Sequence, residues 1–190
     1  MAIPTEELQK ANPSAKIELF EIHLVSALHG SSDVKRFHNG INMNTTYNVV
    51  FQGSSYTRIP IEANGFEYAQ TRTTRPRPTV RISNLFSNVT ALMTTANLTT
   101  PKNGLNGAKF IRKVTLLKFL DNANFESGTN PFGTPANNTY ENQTFFIDRK
   151  TVESKDFVEF ECASALDLEN RSAPKRIITR KEFPSVGTFV

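Results

Sequence analysis

The chain has 190 residues, of which 38% are hydrophobic and 21% are charged. That length suits one large domain, and the apolar content is too high for a disordered chain. The 22 basic and 18 acidic residues leave a formal charge of +4, which demands no polyanionic partner, because nucleic-acid binders concentrate far more positive charge on one face.

The first half of the chain alternates β-prone runs with polar loops. A short helix is expected over residues 5–11, before Pro13, and residues 1–15 are predicted to form an N-terminal arm. Residues 28–44 contain Gly, Ser, Asp, Asn and His, which predicts a loop. Alternation of apolar and polar side chains predicts strands over residues 16–27, 46–51, 56–61, 66–69 and 79–85.

The second half contains the one clear helix. Val89, Leu92, Met93 and Ala96 are spaced by three or four residues, which predicts an amphipathic helix over residues 89–98. Polar, turn-forming residues predict a long exposed loop over residues 121–142. Strands are predicted over residues 108–120, 143–152 and 156–163. This pattern favours a mainly β fold, a β-barrel or sandwich with a flanking helix, as a single domain over residues 16–190.

The residues that usually carry chemistry form no familiar catalytic or metal-binding pattern. His29 and His38 lie in a predicted loop, at a spacing that matches no zinc motif, so both are expected to be solvated. Glu159 and Glu161 share one face of a strand, and a solvated polar face explains them without catalysis. Cys162, the single cysteine, is expected to be buried and inert. We therefore expect no catalytic residue, no metal site, no cofactor and no enzymatic activity.

The sequence shows neither a membrane span nor an export signal. No run of apolar residues approaches the ~20 that a helix needs to cross a bilayer. The first residues, MAIPTEE, lack the basic start and apolar run of a secretion signal. The protein is therefore expected to be made in a cytoplasm.

The most distinctive local feature is a proline-stiffened segment with four arginines within ten residues. They are Arg72, Arg75, Arg77 and Arg81. One interpretation is contact with the phosphates of DNA or RNA; the other is an interface in which the guanidinium groups bind carboxylates of a neighbouring subunit. No aromatic residue falls between the arginines to stack on a base, so we favour the intersubunit interface.

Three stretches, in order along the chain, carry a resemblance to a known family. Residues 61–67 read IEANGFE, residues 77–85 read RPTVRISNL, and residues 112–125 read RKVTLLKFLDNANF. They are similar to the Gly-Phe-Glu, the Arg-Pro-Thr with Ser-Asn-Leu, and the Arg-Lys-Val with Phe-Leu-Asp and Asn-Phe patterns of one family. The chain thus resembles the phage minor tail protein L family, typified by the long-tailed phages related to lambda.

The resemblance implies a structural subunit at the tail tip of the virion, synthesised in the cytoplasm of the bacterial host. Such a hub subunit forms a ring, a trimer with a hexamer left open, around the central channel. Its implied neighbours are the distal tail protein, the central host-recognition fibre protein and the tape-measure protein, and DNA passes through the channel without specific binding. The arginine segment and the predicted loops over residues 28–44 and 121–142 are then expected to reach neighbouring subunits. A DNA-binding module and a tail-associated hydrolase stay open as alternatives.

The chain departs from the family pattern in its cysteines. Members of the family continue into a C-terminal segment with four cysteines that resembles an iron–sulfur-binding domain. The sequence given stops at Val190, and Cys162 does not belong to such a segment. We therefore transfer no cluster ligand to this chain, and expect either that this member lacks the segment or that a partner supplies its role.

Overall fold

A computed structural model describes residues 5–40, 48–67, 75–85, 87–139, 141–165, 167, 178, 179, 181 and 183–185. Within this part of the chain the fold is mainly β, as predicted, with nine strands and one long helix. The strands are β1 (Lys16–His23), β2 (Val34–His38), β3 (Asn48–Phe51), β4 (Ser54–Arg58), β5 (Ile61–Asn64), β6 (Thr79–Ser83), β7 (Lys109–Leu116), β8 (Glu141–Glu153) and β9 (Phe157–Ala163). The helices are α1 (Thr5–Leu8), α2 (Ser26–His29) and α3 (Asn88–Asn97), and single 3-10 turns cover Leu117–Phe119 and Asn122–Asn124.

The nine strands form one sheet in the order β3-β4-β2-β1-β7-β8-β9-β6-β5. Neighbours are antiparallel, except that β2 and β4 are parallel. This order has two end strands, β3 and β5, so a closed barrel is not confirmed. The link between β4 and β5 nevertheless contacts both halves of the sheet, since Ile59 N donates to His38 O at 3.1 Å and Ser83 N donates to Pro60 O at 2.9 Å. The sheet therefore curls back on itself.

The core has two parts, and β1 separates them. Phe20 and Ile22 join the large cluster inside the curl, which also contains Phe110, Phe145, Val158, Phe160 and the buried face of α3. From the opposite face of β1, Ile17 and Leu19 join a smaller cluster. The other members of this smaller cluster are Val49, Phe51, Tyr56 and Leu120. Since β1 is covered on both faces, its burial pattern is nearly continuous rather than alternating.

Helix α3 lies where the periodicity places it. Val89, Met93 and Ala96 are buried in the large cluster, and Leu92 contacts it. The helix forms although it contains three threonines, a residue of low helix propensity. The hydroxyls of Thr94 and Thr95 donate to backbone carbonyls four residues earlier. No helix in the described ranges is long and apolar enough to span a membrane.

The loop predicted over residues 28–44 is wrong in its described part, because the end of α2 and the whole of β2 lie there. Residues 41–44 lie outside the described residues. His29 and His38 are only 2% and 1% exposed, so neither is a solvated loop histidine. Both ring nitrogens of His29 have hydrogen-bond partners: Nδ1 accepts from Val25 N at 2.9 Å and Nε2 donates to Asn106 O at 3.2 Å. Turn-forming residues on both sides of the five-residue strand β2 conceal it in the sequence.

The N-terminal segment is attached to the β-rich part through Glu7. This buried carboxylate accepts hydrogen bonds from Lys118 Nζ at 2.6 Å, from Lys10 Nζ at 2.5 Å and from Ser14 N at 3.2 Å. The hydrogen bonds from Lys10 and Lys118 lower the pKa of Glu7 to about 2. The division into an arm over residues 1–15 and one domain over residues 16–190 stays a prediction.

Candidate subunit interface

Arg77 and Arg81 lie on the outer face of the β6–β9–β8 part of the sheet. In β9, alternation turns Val158, Phe160 and Cys162 into the core, which leaves Glu159 and Glu161 on the opposite face. The register places Arg81 of β6 directly opposite Glu159. We call the resulting set of alternating charges the outer arginine ladder; it consists of Arg77, Arg81, Arg149, Asp148, Glu159 and Glu161.

The first rung of the ladder pairs Arg81 with Glu159. Nη2 and Nε of the guanidinium donate to the same carboxylate oxygen at 2.8 and 3.1 Å. The guanidinium carbon also lies 4.6 Å from the centre of the Phe157 ring, a cation–π contact. The Arg81 guanidinium thus contacts both a carboxylate and an aromatic ring of its own chain.

The second rung is a branched network around Glu161. Arg77 donates to Glu161 at 2.9 Å and to Asp148 at 3.1 Å, and Arg149 Nε donates to the other oxygen of Glu161 at 2.8 Å. A register shift between Ile147 and Arg149 brings Arg149 opposite Glu161. Such a bulge redirects side chains, and here it places Asp148 and Arg149 in one network.

Of the four predicted interface residues, the structure brings Arg77 and Arg81 together in the ladder. Arg75 is exposed and donates to Ser164 Oγ at 3.3 Å, while Arg72 lies outside the described residues. The three carboxylates of the ladder were not predicted as partners of the arginines. Alternation in β9 predicts that Glu159 and Glu161 face outward. It does not predict that arginines bind them, because β6 and β9, which pair, are far apart in the sequence.

A second ionic group, the Glu21 cluster, lies between β1 and the β3–β4 hairpin. Glu21 is only 4% exposed and accepts hydrogen bonds from Tyr56 Oη at 2.5 Å, Lys113 Nζ at 2.8 Å and His23 Nε2 at 2.8 Å. Arg36 Nε lies 3.7 Å from the same carboxylate. One buried acid therefore holds cations and donors from three neighbouring strands.

Burial opposes the ionisation of Glu21, but the hydrogen bonds from Lys113, Tyr56 and His23 outweigh it and lower its pKa to about 2. Burial, together with the adjacent carboxylate, raises the pKa of the Tyr56 hydroxyl. An acid that stays ionised and accepts three hydrogen bonds is not available as a proton donor near neutral pH. The geometry makes Glu21 an anchor for the hairpin.

A family model described as Phage minor tail protein L matches residues 27–185. The chain belongs to the phage minor tail protein L family. It is also 30% identical, over 129 residues, to the protein named Tail tip protein L of Escherichia phage lambda, in an alignment that covers 68% of this chain and 50% of the relative. The chain thus spans about half the length of this curated relative, and the family to which the chain belongs is one of minor tail proteins of phages.

The tail protein's lone cysteine does not fit the iron–sulfur cluster that the resemblance implies for the family. Cys162 is fully buried in the large core cluster. Burial raises the pKa of its thiol to about 12, as is typical of a structural cysteine rather than a reactive one. No group of three or more metal-ligating side chains occurs within the described ranges. We therefore assign no cluster to these residues.

A polar cavity of about 600 Å³ in this tail protein lies beside the end of β5. Arg112 crosses it: the guanidinium donates to Glu18 and, at 3.0 Å, to Gln143, and it lies 4.9 Å from the centre of the Phe66 ring. Glu67 also lines the cavity. Arg112 and Glu18 thus form an ion pair within the chain beside this cavity.

Proposed function

We propose that this member of the minor tail protein L family is a hub subunit of the phage tail tip. In this proposal several copies, three by preference and six as the alternative, form a ring around the central channel of the virion tail. The ring lies between the distal tail protein and the central host-recognition fibre protein. The tape-measure protein and the DNA pass through it, and the DNA is not specifically bound. The family match over residues 27–185 carries this proposal.

The structure supports an assembly role through the character of its surface. The outer arginine ladder contains three cations and three anions, all paired within the chain. A balanced ladder offers a neighbouring subunit a pattern of alternating charges that fixes orientation rather than supplying bulk attraction. Arg149, whose side chain is 64% exposed, is the most accessible of these groups. Arg72, Arg75, Arg77 and Arg81 stay the proposed contact residues.

The test is to reverse three charges together, in R72E/R75E/R77E. We expect loss of the ring, because the three reversed side chains would repel the carboxylates of the neighbouring subunit that these arginines are proposed to bind. The measurement is native mass spectrometry of the purified chain, with circular dichroism to verify folding. The matched control is K102E/K155E/K181E, which reverses three exposed lysines outside the proposed contact residues and makes the same change in net charge. Unchanged assembly of the folded triple variant would remove the arginine segment from the proposal.

The DNA-binding alternative makes a different prediction for the same protein. A module that uses these arginines on phosphates would bind DNA at low salt, with an affinity that falls steeply as salt rises. We expect no such binding, because Arg77 and Arg81 already bind carboxylates of their own chain. A fluorescence anisotropy titration with duplex DNA at low salt distinguishes the two.

A further inference from the structure

Strand β3 is the end strand of the sheet. The backbone groups that point outward from it, away from β4, can be assigned from the hairpin that joins the two strands. Gln52 and Gly53 form the two-residue hairpin loop to β4, both with positive φ, 54° and 68°. In such a hairpin Phe51 and Ser54, which flank the loop, exchange backbone hydrogen bonds. Val50 is one residue further along, so its N–H and C=O point away from β4, toward the open edge.

The side chain of Asn124 occupies that edge. Val50 N donates to Asn124 Oδ1 at 2.7 Å, and Asn124 Nδ2 donates to Val50 O at 2.7 Å. A side-chain amide offers the same donor and acceptor that a paired strand would present. At the tip of the hairpin, Gly53 N donates to Asp121 Oδ2 at 2.8 Å. Both contacts come from the stretch that was predicted to be an exposed loop.

The loop that carries Asn124 is itself fixed to the body of the protein. Asn130, which is only 5% exposed, donates through Nδ2 to three backbone carbonyls at 3.0–3.2 Å, those of Leu117, Lys118 and Leu120. Asn124 Nδ2 also donates to Asp121 O at 2.7 Å. The amide of Asn124 is therefore held in place before any partner arrives, which lowers the entropic cost of the two bonds to Val50.

We propose that Asn124 acts as a surrogate strand that closes the β3 edge against pairing with a second copy of this chain. The strand reads NVVF, uncharged and β-prone, and an open edge of this kind is a template for the identical strand of another molecule. The occupant that the amide excludes is thus β3 of a second copy, paired antiparallel about a two-fold axis. This proposal is independent of the hub ring.

The test is Asn124→Ala, which removes both bonds to Val50. Sedimentation velocity over a range of concentrations should reveal a species of doubled mass that wild type lacks. Adding Val50→Lys should abolish that species, because the Val50 side chain lies opposite the buried Val49 and Phe51 and a lysine on an edge strand discourages pairing. Asn137→Ala is the matched control, because this exposed asparagine contacts the hairpin only through its backbone carbonyl.

Two results would overturn the proposal: a folded Asn124→Ala protein with the same masses as wild type, or new association that Val50→Lys leaves intact. If Asn124→Ala does not fold, the nearly isosteric and uncharged Asn124→Leu replaces it with the same expected results, because its side chain can neither donate to Val50 O nor accept from Val50 N. Hydrogen exchange in the wild-type protein gives a second measurement. The Val50 amide should exchange slowly, and fast exchange in the native protein would contradict the closed edge.

Discussion

The Glu21 cluster and the outer arginine ladder both bring carboxylates and cations together, at different depths. In the cluster one acid, 4% exposed, is surrounded by donors from β1, β7 and the hairpin. In the ladder three acids lie beneath three arginines that reach into solvent. The two groups contain similar numbers of ion pairs, but the Glu21 carboxylate is shielded from solvent and the arginines of the ladder are exposed to it.

Depth decides what each group does. A buried charge that loses its partners is costly, because no water replaces them, whereas an exposed pair exchanges partners with water at little cost. The Glu21 cluster therefore holds the β3–β4 hairpin on β1, and the ladder is free to serve contacts with other molecules. The next three predictions test this division.

The largest effect is expected for Glu21→Gln. The substitution leaves the half-buried ammonium of Lys113 without its carboxylate, and breaking a buried pair in this way costs about 3–5 kcal/mol. Urea denaturation should show the free energy of unfolding lowered by that amount. Glu159→Gln in the ladder is the matched control, and a loss for Glu21→Gln no larger than for Glu159→Gln would contradict the division.

The second effect is a dependence of stability on pH. The pKa of Glu21 falls from 4.5 to about 2 on folding, so its contribution is complete above pH 4.5 and disappears as the pH falls toward 2. That shift corresponds to about 3 kcal/mol. Between pH 7 and pH 2.5 the wild type should lose more stability than Glu21→Gln by about this amount. Glu7 titrates in the same range but is common to both proteins, and parallel curves would show that Glu21 is not the group responsible.

The smallest effect is expected in the ladder. A double-mutant cycle on Arg81 and Glu159 should give a coupling energy of about 0.2–1 kcal/mol, reduced further at high salt, as for other exposed pairs. Thermal or urea unfolding of the two single variants and the double variant measures it at low and high salt. A coupling energy of several kcal/mol that does not change with salt concentration would assign the ladder a structural role like that of the Glu21 cluster.

Local patterns were sufficient for part of this structure. The spacing of Val89, Met93 and Ala96 predicts α3, and alternation predicts the β8–β9 hairpin and the burial of Cys162. These features depend on periodicity within one element. The family resemblance, drawn from three stretches of residues, is confirmed by the match over residues 27–185.

The features that the sequence did not reveal depend on distant contacts. Glu159 meets Arg81 only because β9 pairs with β6. His38 is buried because β1 and β4 lie on either side of the short strand β2. Asn124 lies in a stretch rich in turn-forming residues. Its amide takes the place of a paired strand only because β3 lies beside it. In each case the partner, rather than the residue type, determines the role.

The most direct test of the hub proposal is an electron cryo-microscopy reconstruction of the tail tip of virions that carry this chain. We expect several copies of the nine-stranded domain, three by preference, arranged symmetrically around the central channel next to the distal tail protein. A tail tip without this domain, or with a single copy away from the channel axis, would contradict it.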